Sequence, residues 1–260
     1  ERAGHLIRYR AQSMPADIPL VGEYPIVFSA DEFDVVLYDV FVSEYGAPSD
    51  AVSLAVSIQS GVLISATSTA IPAFKIGAAW PTGSTITITN EGTIAGRGGS
   101  GGGYLVGFFS YNGTPGENGG LGLYADYPVT IDNSTGVIAG GGGGGGQGSS
   151  DSSPCGTTAG GGGGGGAPNG AAGSSMPGSG NNGAAGTVAG GGGGGAASGP
   201  LSCPPFGTFS GGAGGDGGSY GQPGDTGTTG TYGSGGAGGG AGDCVNGNSN
   251  ITWTATGTRH

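Results

Sequence analysis

Three uninterrupted runs of glycine limit what the second part of this chain can fold into. They extend from Gly140 to Gly146, from Gly160 to Gly166 and from Gly190 to Gly195, so their lengths are nearly equal. All but six of the 69 glycines follow residue 90. A flexible linker has no physical reason to keep one run length, whereas rods packed side by side do. The runs therefore predict ordered rods.

Four structures compete for glycine of this kind: a flexible linker, collagen, bulged β-strands and an extended helix with three residues per turn. The loops between the runs contain aromatic residues that a linker does not need, and the strict collagen period is missing. Glycine also weakens strands. The extended helix, polyglycine II, is favoured because its rods exchange backbone hydrogen bonds with several neighbours and only glycine lets them approach closely.

An isolated pair of such rods should not be stable, because ordering glycine costs about 1–2 kcal/mol per residue. We therefore expect about six rods or more, made of the pure runs and of weaker glycine-rich stretches. The weaker candidates are residues 96–103, 116–122, 211–218 and 235–242.

The N-terminal part of the chain, up to residue 80, has the pattern of β-strands. Residues 26–29, 35–42 and 52–58 are rich in β-branched and aromatic side chains, several alternate with polar ones, and turn residues separate them. We predict a mostly β plus irregular fold with almost no α-helix. An N-terminal antiparallel β domain, a small sandwich in type, would precede a packed polyglycine II sandwich with exposed loops.

An internal repeat suggests where the parts of the chain begin and end. Residues 87–96 are echoed by residues 130–140, and shorter copies of the last five letters occur at 156–160 and 186–190. The unequal spacing argues against a constant-period solenoid. The division predicted is a β-rich base domain (1–84), a β transition with the first glycine-rich repeat (85–139), the rod sandwich (140–250) and a C-terminal strand (251–260).

Charge and residue types exclude several functions. The net charge is −11 with only six Lys and Arg, which argues against binding nucleic acid and against an anionic bilayer. No apolar stretch has the form of a membrane helix, and the start lacks a methionine and a signal sequence, as expected of a fragment or processed product. The two histidines, His5 and His260, are terminal, and no nucleophile–base set or metal spacing occurs. We expect no enzyme, no cofactor and no metal.

The three cysteines lie in the glycine-rich part, and an odd number leaves at least one of them without a partner in the chain. Inert loop thiols are one interpretation. The other is a bridge between Cys155 and Cys203, which would lock two insertions together.

The glycine blocks at 96–103, 140–146, 160–166, 190–195, 211–218 and 235–242, the insertions between them and the closing residues 251–259 resemble a known family. It comprises the receptor-binding adhesins at the distal tip of phage tail fibres, especially the T-even-type long-tail-fibre adhesins. The resemblance covers residues 85–260. The part of the chain before residue 81 does not match that family's attachment domain, so the tip of a central tail-fibre or host-specificity protein is an alternative.

The resemblance implies an extracellular position on the virion, at the end of a tail fibre. It implies two partners, the rest of the fibre and a bacterial outer-membrane receptor such as a porin or transporter, without nucleic acid or membrane insertion. A trimer formed through the fibre and a monomeric cap both remain open.

Aromatic side chains in the insertions are the candidate receptor contacts, because rigid aromatics give contact area at low entropic cost. They are Tyr104, Phe108, Phe109, Tyr111, Phe206, Phe209 and Tyr220. The alternative for Phe108, Phe109 and Phe206 is that they plug the base of the rods. A glycine-rich structural or ice-binding surface protein unrelated to phage is the competing function; it would require a flat, regular repeat.

Overall fold

The computed structural model describes residues 23–103, 112–153, 156–175 and 180–260. In these residues the fold is mostly β, with one α-helix, α1 (Leu37–Tyr45), and one 3-10 helix (Asn248–Asn250). Neither of these described helices has the length and apolarity that a membrane crossing requires.

Three parallel β-sheets form the framework. Sheet one contains β1 (Glu23–Phe28), β4 (Ser53–Ile58), β7 (Thr85–Asn90), β10 (Val129–Asp132) and β17 (Ile251–Ala255). Sheet two contains β2 (Glu32–Phe33), β5 (Leu63–Ser65), β8 (Thr93–Ala95), β11 (Val137–Ala139) and β18 (Thr258–Arg259). Sheet three contains β3 (Val35–Val36), β6 (Phe74–Lys75), β9 (Leu123–Tyr124) and β16 (Val245–Asn246). Two antiparallel hairpins lie outside this framework: β12 (Asp151–Ser153) with β13 (Gly156–Thr158), and β14 (Leu201–Cys203) with β15 (Gly207–Phe209).

The chain visits the three sheets in turn, so the framework is a β-solenoid. Glu23 pairs in parallel with Ser53 of the next coil, and Ser53 pairs in the same way with Thr85 of the coil after that. The prediction of an antiparallel N-terminal domain is therefore wrong. A solenoid strand has one face inside and one outside, and it produces the same alternation of apolar and polar residues as a half-buried antiparallel strand.

The solenoid core consists of apolar columns that run from coil to coil. In sheet one, Ile26 is in register with Val56, Val56 with Ile88, and Ile88 with Ile131. All four side chains are buried. Because each coil places its apolar residue above the previous one, the core grows without a second packed sheet, and burial of each such side chain contributes about 1.5–3 kcal/mol.

The glycine-rich segments are insertions at one corner of the solenoid. The chain leaves after β8 and returns at β9, then leaves after β11 and returns at β16. Strands β4 and β7 pair across the predicted boundary at residue 84, which thus falls inside the solenoid, and the C-terminal residues form its last coil.

The repeat of residues 87–96 and 130–140 is two successive solenoid coils, since Thr87 pairs with Thr130 and Ala95 with Ala139. The two shorter copies are different in structure. Residues 156–158 form β13, and Thr187 and Gly190 bridge a turn. The residues that the shorter copies share therefore do not indicate a shared structural unit.

Candidate binding surface

The described part of the chain contains ten extended glycine-rich segments that are neither helix nor strand but are joined by backbone hydrogen bonds. They are residues 96–103, 113–122, 140–149, 160–167, 170–174, 181–186, 190–196, 211–218, 221–228 and 235–242. The predicted weaker stretches all lie within this set.

Hydrogen bonds of the segment 140–149 repeat every three residues. Gly141, Gly144 and Gln147 donate to one neighbouring segment. The residue after each of these three donates to a second neighbouring segment, and the residue after that donates to a third. Its carbonyl groups accept from three further segments. The six neighbouring segments are residues 113–122, 160–167, 221–228, 96–103, 211–218 and 235–242. Segment 160–167 also has six neighbours, so these two are the central segments of the stack.

Glycine is required throughout the pure runs of the two central segments, residues 140–146 and 160–166. A Cβ on Gly144 would lie less than 3.0 Å from the carbonyl oxygen of Ser100, and one on Gly163 would meet the carbonyl of Gly145 in the same way. The outer segment 190–196 does not need glycine at every position, because a Cβ on Gly193 would have no atom nearer than 3.9 Å. Two of the three pure runs are thus central, and the third lies at the edge.

The register of these bonds defines two ends of the stack. Gly140 donates to the carbonyl of His260 and Gly96 to that of Ala139, so the low-numbered ends of these two segments join the solenoid. Residue 149 lies at the other end, which we call the distal end. Its described loop residues are 112, 150–153, 156–159, 174–175, 180, 197–210 and 229–234.

Both antiparallel hairpins lie at the distal end. Phe206 occupies the turn of the β14–β15 hairpin, where its N–H donates to the carbonyl oxygen of Cys203 at 2.6 Å, and 63% of its side chain is exposed. Cys203 is buried and disulfide-bonded, while Cys244 is a free thiol. The predicted partner Cys155 lies outside the described residues, so this pairing stays a prediction.

Two predicted contact residues are placed differently from expectation. Phe209 is only 5% exposed, because its ring packs against that of Tyr232 with 5.6 Å between centroids. Its predicted receptor contact stays a prediction. Tyr232, the exposed member of this pair at 68%, was not among the residues predicted from the sequence. The available signal was an aromatic residue in a short loop between two glycine-rich segments. Tyr104, Phe108, Phe109 and Tyr111 lie outside the described residues.

Tyr220 lies at the opposite end, beside the solenoid. It packs against the cluster of Leu63, Ala95 and Ala139, and its hydroxyl is buried without a hydrogen-bond partner among the described residues. Burial raises the pKa of this hydroxyl above 10.0. Tyr220 thus packs where the glycine-rich stack meets the solenoid and is not among the distal loops, and its predicted receptor contact stays a prediction.

The distal end carries almost no charge. From residue 98 to residue 258 the sequence contains no Lys or Arg, and Asp151 is the single acidic residue in the distal loops. Its side chain is buried. Within the described residues no group of three His, Cys, Asp or Glu could hold a metal ion. The surface can therefore bind through aromatic and uncharged polar groups.

Comparison with known proteins gives two positive findings. The model of a family described as phage tail fibre adhesin Gp38 matches residues 23–260. The chain is also similar to a solved structure, the gp37-gp38 adhesin tip complex of the bacteriophage S16 long tail fiber, with 26% sequence identity and a TM-score of 0.59. That match covers 91% of this chain and 80% of the other. A comparison with curated proteins gave no significant match.

Proposed function

Because the chain belongs to the phage tail fibre adhesin Gp38 family, and is therefore a receptor-binding adhesin at the distal tip of the tail fibre on the virion, we propose that its distal end binds a bacterial outer-membrane protein. The carrying observation is the pair of strongly exposed aromatic side chains, Phe206 and Tyr232, on loops at one end of the glycine-rich stack. Family membership also rejects the ice-binding alternative.

The chemistry of the distal end favours a protein receptor, such as a porin or transporter. Phosphate groups of a lipopolysaccharide core would need Lys or Arg, and the distal loops contain neither. Exposed aromatic side chains among Ser, Thr and Gly are typical of surfaces that bind proteins.

The glycine-rich segments are proposed to be a polyglycine II sandwich that holds these loops in place. The three-residue period of their hydrogen bonds and the six neighbours of each central segment support this assignment. On this proposal the glycines do not contact the receptor. They fix the positions of the loops, so that little ordering entropy is lost on binding.

The solenoid is proposed to attach to the fibre, as gp38 assembles with gp37 in the S16 complex. Among the described strands β1 is an edge of sheet one, and in the first coil Val27 and Phe33 are about half exposed. No glycine-rich segment leaves this coil. An exposed strand edge beside apolar side chains fits a β-rich partner, since edges pair readily with further strands. Trimer or monomer then depends on the fibre, and the chain acts by binding without catalysis.

Binding of the purified adhesin to host cells tests the proposal. Phe206→Ala should weaken saturable binding about tenfold or more, since central aromatic contacts contribute about 2 kcal/mol or more. The matched control is Phe33→Ala, which removes an exposed phenylalanine of the solenoid and should leave cell binding unchanged. Equal binding by wild type, Phe206→Ala and Tyr232→Ala, with all three proteins folded, would refute the distal contact surface.

A further inference from the structure

Beyond its last glycines, the central segment 140–149 continues into two polar residues that hold a neighbouring loop. The carboxylate of Asp151 accepts the N–H of Thr231 at 2.6 Å through Oδ2 and the N–H of Tyr232 at 3.1 Å through Oδ1. The hydroxyl of Ser149 accepts the N–H of Gly230. Three consecutive N–H groups of one loop are thus bound by side chains that are almost fully buried, with Asp151 1% exposed.

The buried charge of Asp151 makes this arrangement unusual. No Lys or Arg occurs between residues 98 and 258, and the described partners of the carboxylate are backbone N–H groups, which stabilise it as a cation would. Hydrogen bonds to an ionised acceptor are roughly twice as strong as neutral ones, and consecutive N–H groups form a natural concavity for an anion. The loop is therefore fixed more firmly than neutral turn contacts would fix it.

The residue fixed in this way is Tyr232, whose side chain is strongly exposed. Its N–H binds Asp151, and its ring lies against the buried ring of Phe209 at an interplanar angle of 44°. The backbone is thus held from the central segment and the ring from the β14–β15 hairpin. Such double support is unnecessary for a side chain that only covers the surface.

We propose that Tyr232 is a receptor-contact residue and that Asp151 is a positioning residue that acts through it. The inference rests on the proposed function, because the contact is made at the distal end. Preorganisation of an aromatic side chain strengthens binding by removing the ordering cost that a mobile loop would carry. Loss of the Asp151 contacts should therefore accelerate dissociation from the receptor.

A double-mutant cycle measured on host cells tests the proposal. The variants are Asp151→Asn, Tyr232→Ala and their combination, with Asp243→Asn as the control for loss of an exposed charge near the solenoid. Asp151→Asn retains one acceptor oxygen but presents an NH₂ group to the other N–H. We expect each single variant to weaken binding about tenfold, and the double variant to bind no more weakly than Tyr232→Ala alone.

If Phe206→Ala weakens binding, two results would still overturn the inference. One is unchanged binding by Tyr232→Ala, and the other is a further loss of binding when Asp151→Asn is added to Tyr232→Ala. If both Phe206→Ala and Tyr232→Ala bind like wild type, the proposed function itself fails. Should Asp151→Asn not fold, Ser149→Ala replaces it in the cycle. Its smaller loss of about threefold must likewise disappear in the Tyr232→Ala background, and persistence there would refute the proposal.

Discussion

Replacing Gly144 with alanine should disrupt the stack, whereas the same replacement at Gly193 should be tolerated. Gly144 lies in a central segment, and its Cβ would lie within 3.0 Å of the carbonyl of Ser100. The segment 96–103 must then move away, although it is bound to the central segment by the 2.8 Å bonds from Gly99 to Gly142 and from Gly102 to Gly145. A Cβ on Gly193 would have its nearest neighbouring atom 3.9 Å away.

The expected cost follows from those two hydrogen bonds. Each broken bond leaves buried polar groups unsatisfied at about 1–3 kcal/mol, so the loss is about 2–6 kcal/mol. Lower entropy of the unfolded chain offsets about 0.4–1 kcal/mol of it, and at Gly193 this gain is the whole effect. For a domain of this size the midpoint of thermal unfolding should fall by about 5–15 °C for Gly144→Ala.

Thermal unfolding followed by circular dichroism or calorimetry would measure both variants. Equal midpoints for Gly144→Ala and Gly193→Ala would show that the packing explanation is wrong, because it depends on the difference between a central and an outer glycine. A large loss at Gly193 alone would contradict the assigned arrangement of the segments.

Particular side chains give three further predictions. Tyr220→Phe should leave cell binding unchanged. Above about pH 10 it should make the decline of stability with pH less steep, because the pKa of Tyr220 is raised in the folded protein and the unfolded chain loses this proton first. An unchanged alkaline unfolding profile would contradict this. Thiol titration of the native protein without reductant should detect Cys244, and intact mass should rise on reduction by the two hydrogens of one disulfide; no change would argue against the bond at Cys203 and its predicted partner Cys155. Binding to host cells should change less than about twofold when salt is raised from low to physiological concentration, because the distal end has no exposed charge, and a steep decline would point to an ionic receptor contact.

Sequence reasoning could predict the glycine stack because its cause is local. A run without any Cβ is needed wherever backbones approach from all sides, and the two longest runs are the two central segments. The outer segments show their need for glycine less clearly, since only one or two of every three positions would place a Cβ against a neighbouring backbone. In segment 221–228, Gly224 and Gly227 are such positions, and the residues between them are not glycine.

The solenoid could not be recognised from periodicity. Alternation predicted strands at residues 52–58, but it does not distinguish a parallel partner in the next coil from an antiparallel neighbour. The insertions also concealed the coil repeat, because Val129 pairs with Ile251 although most of the glycine-rich stack lies between them in the sequence. At the distal end, Phe206 is exposed, whereas Phe209 is buried and packs against Tyr232, which is distant in sequence.

Contact between the distal end and the receptor can be tested by hydroxyl-radical footprinting. The isolated adhesin is oxidised free and bound to outer-membrane vesicles from the host, with exposed aromatic side chains at both ends of the molecule as reporters. If the distal end is the contact surface, binding lowers oxidation of Phe206 and Tyr232 and leaves Phe33 and Tyr45 of the solenoid unchanged. Protection of Phe33 or Tyr45 with continued oxidation of Phe206 and Tyr232 would contradict distal binding.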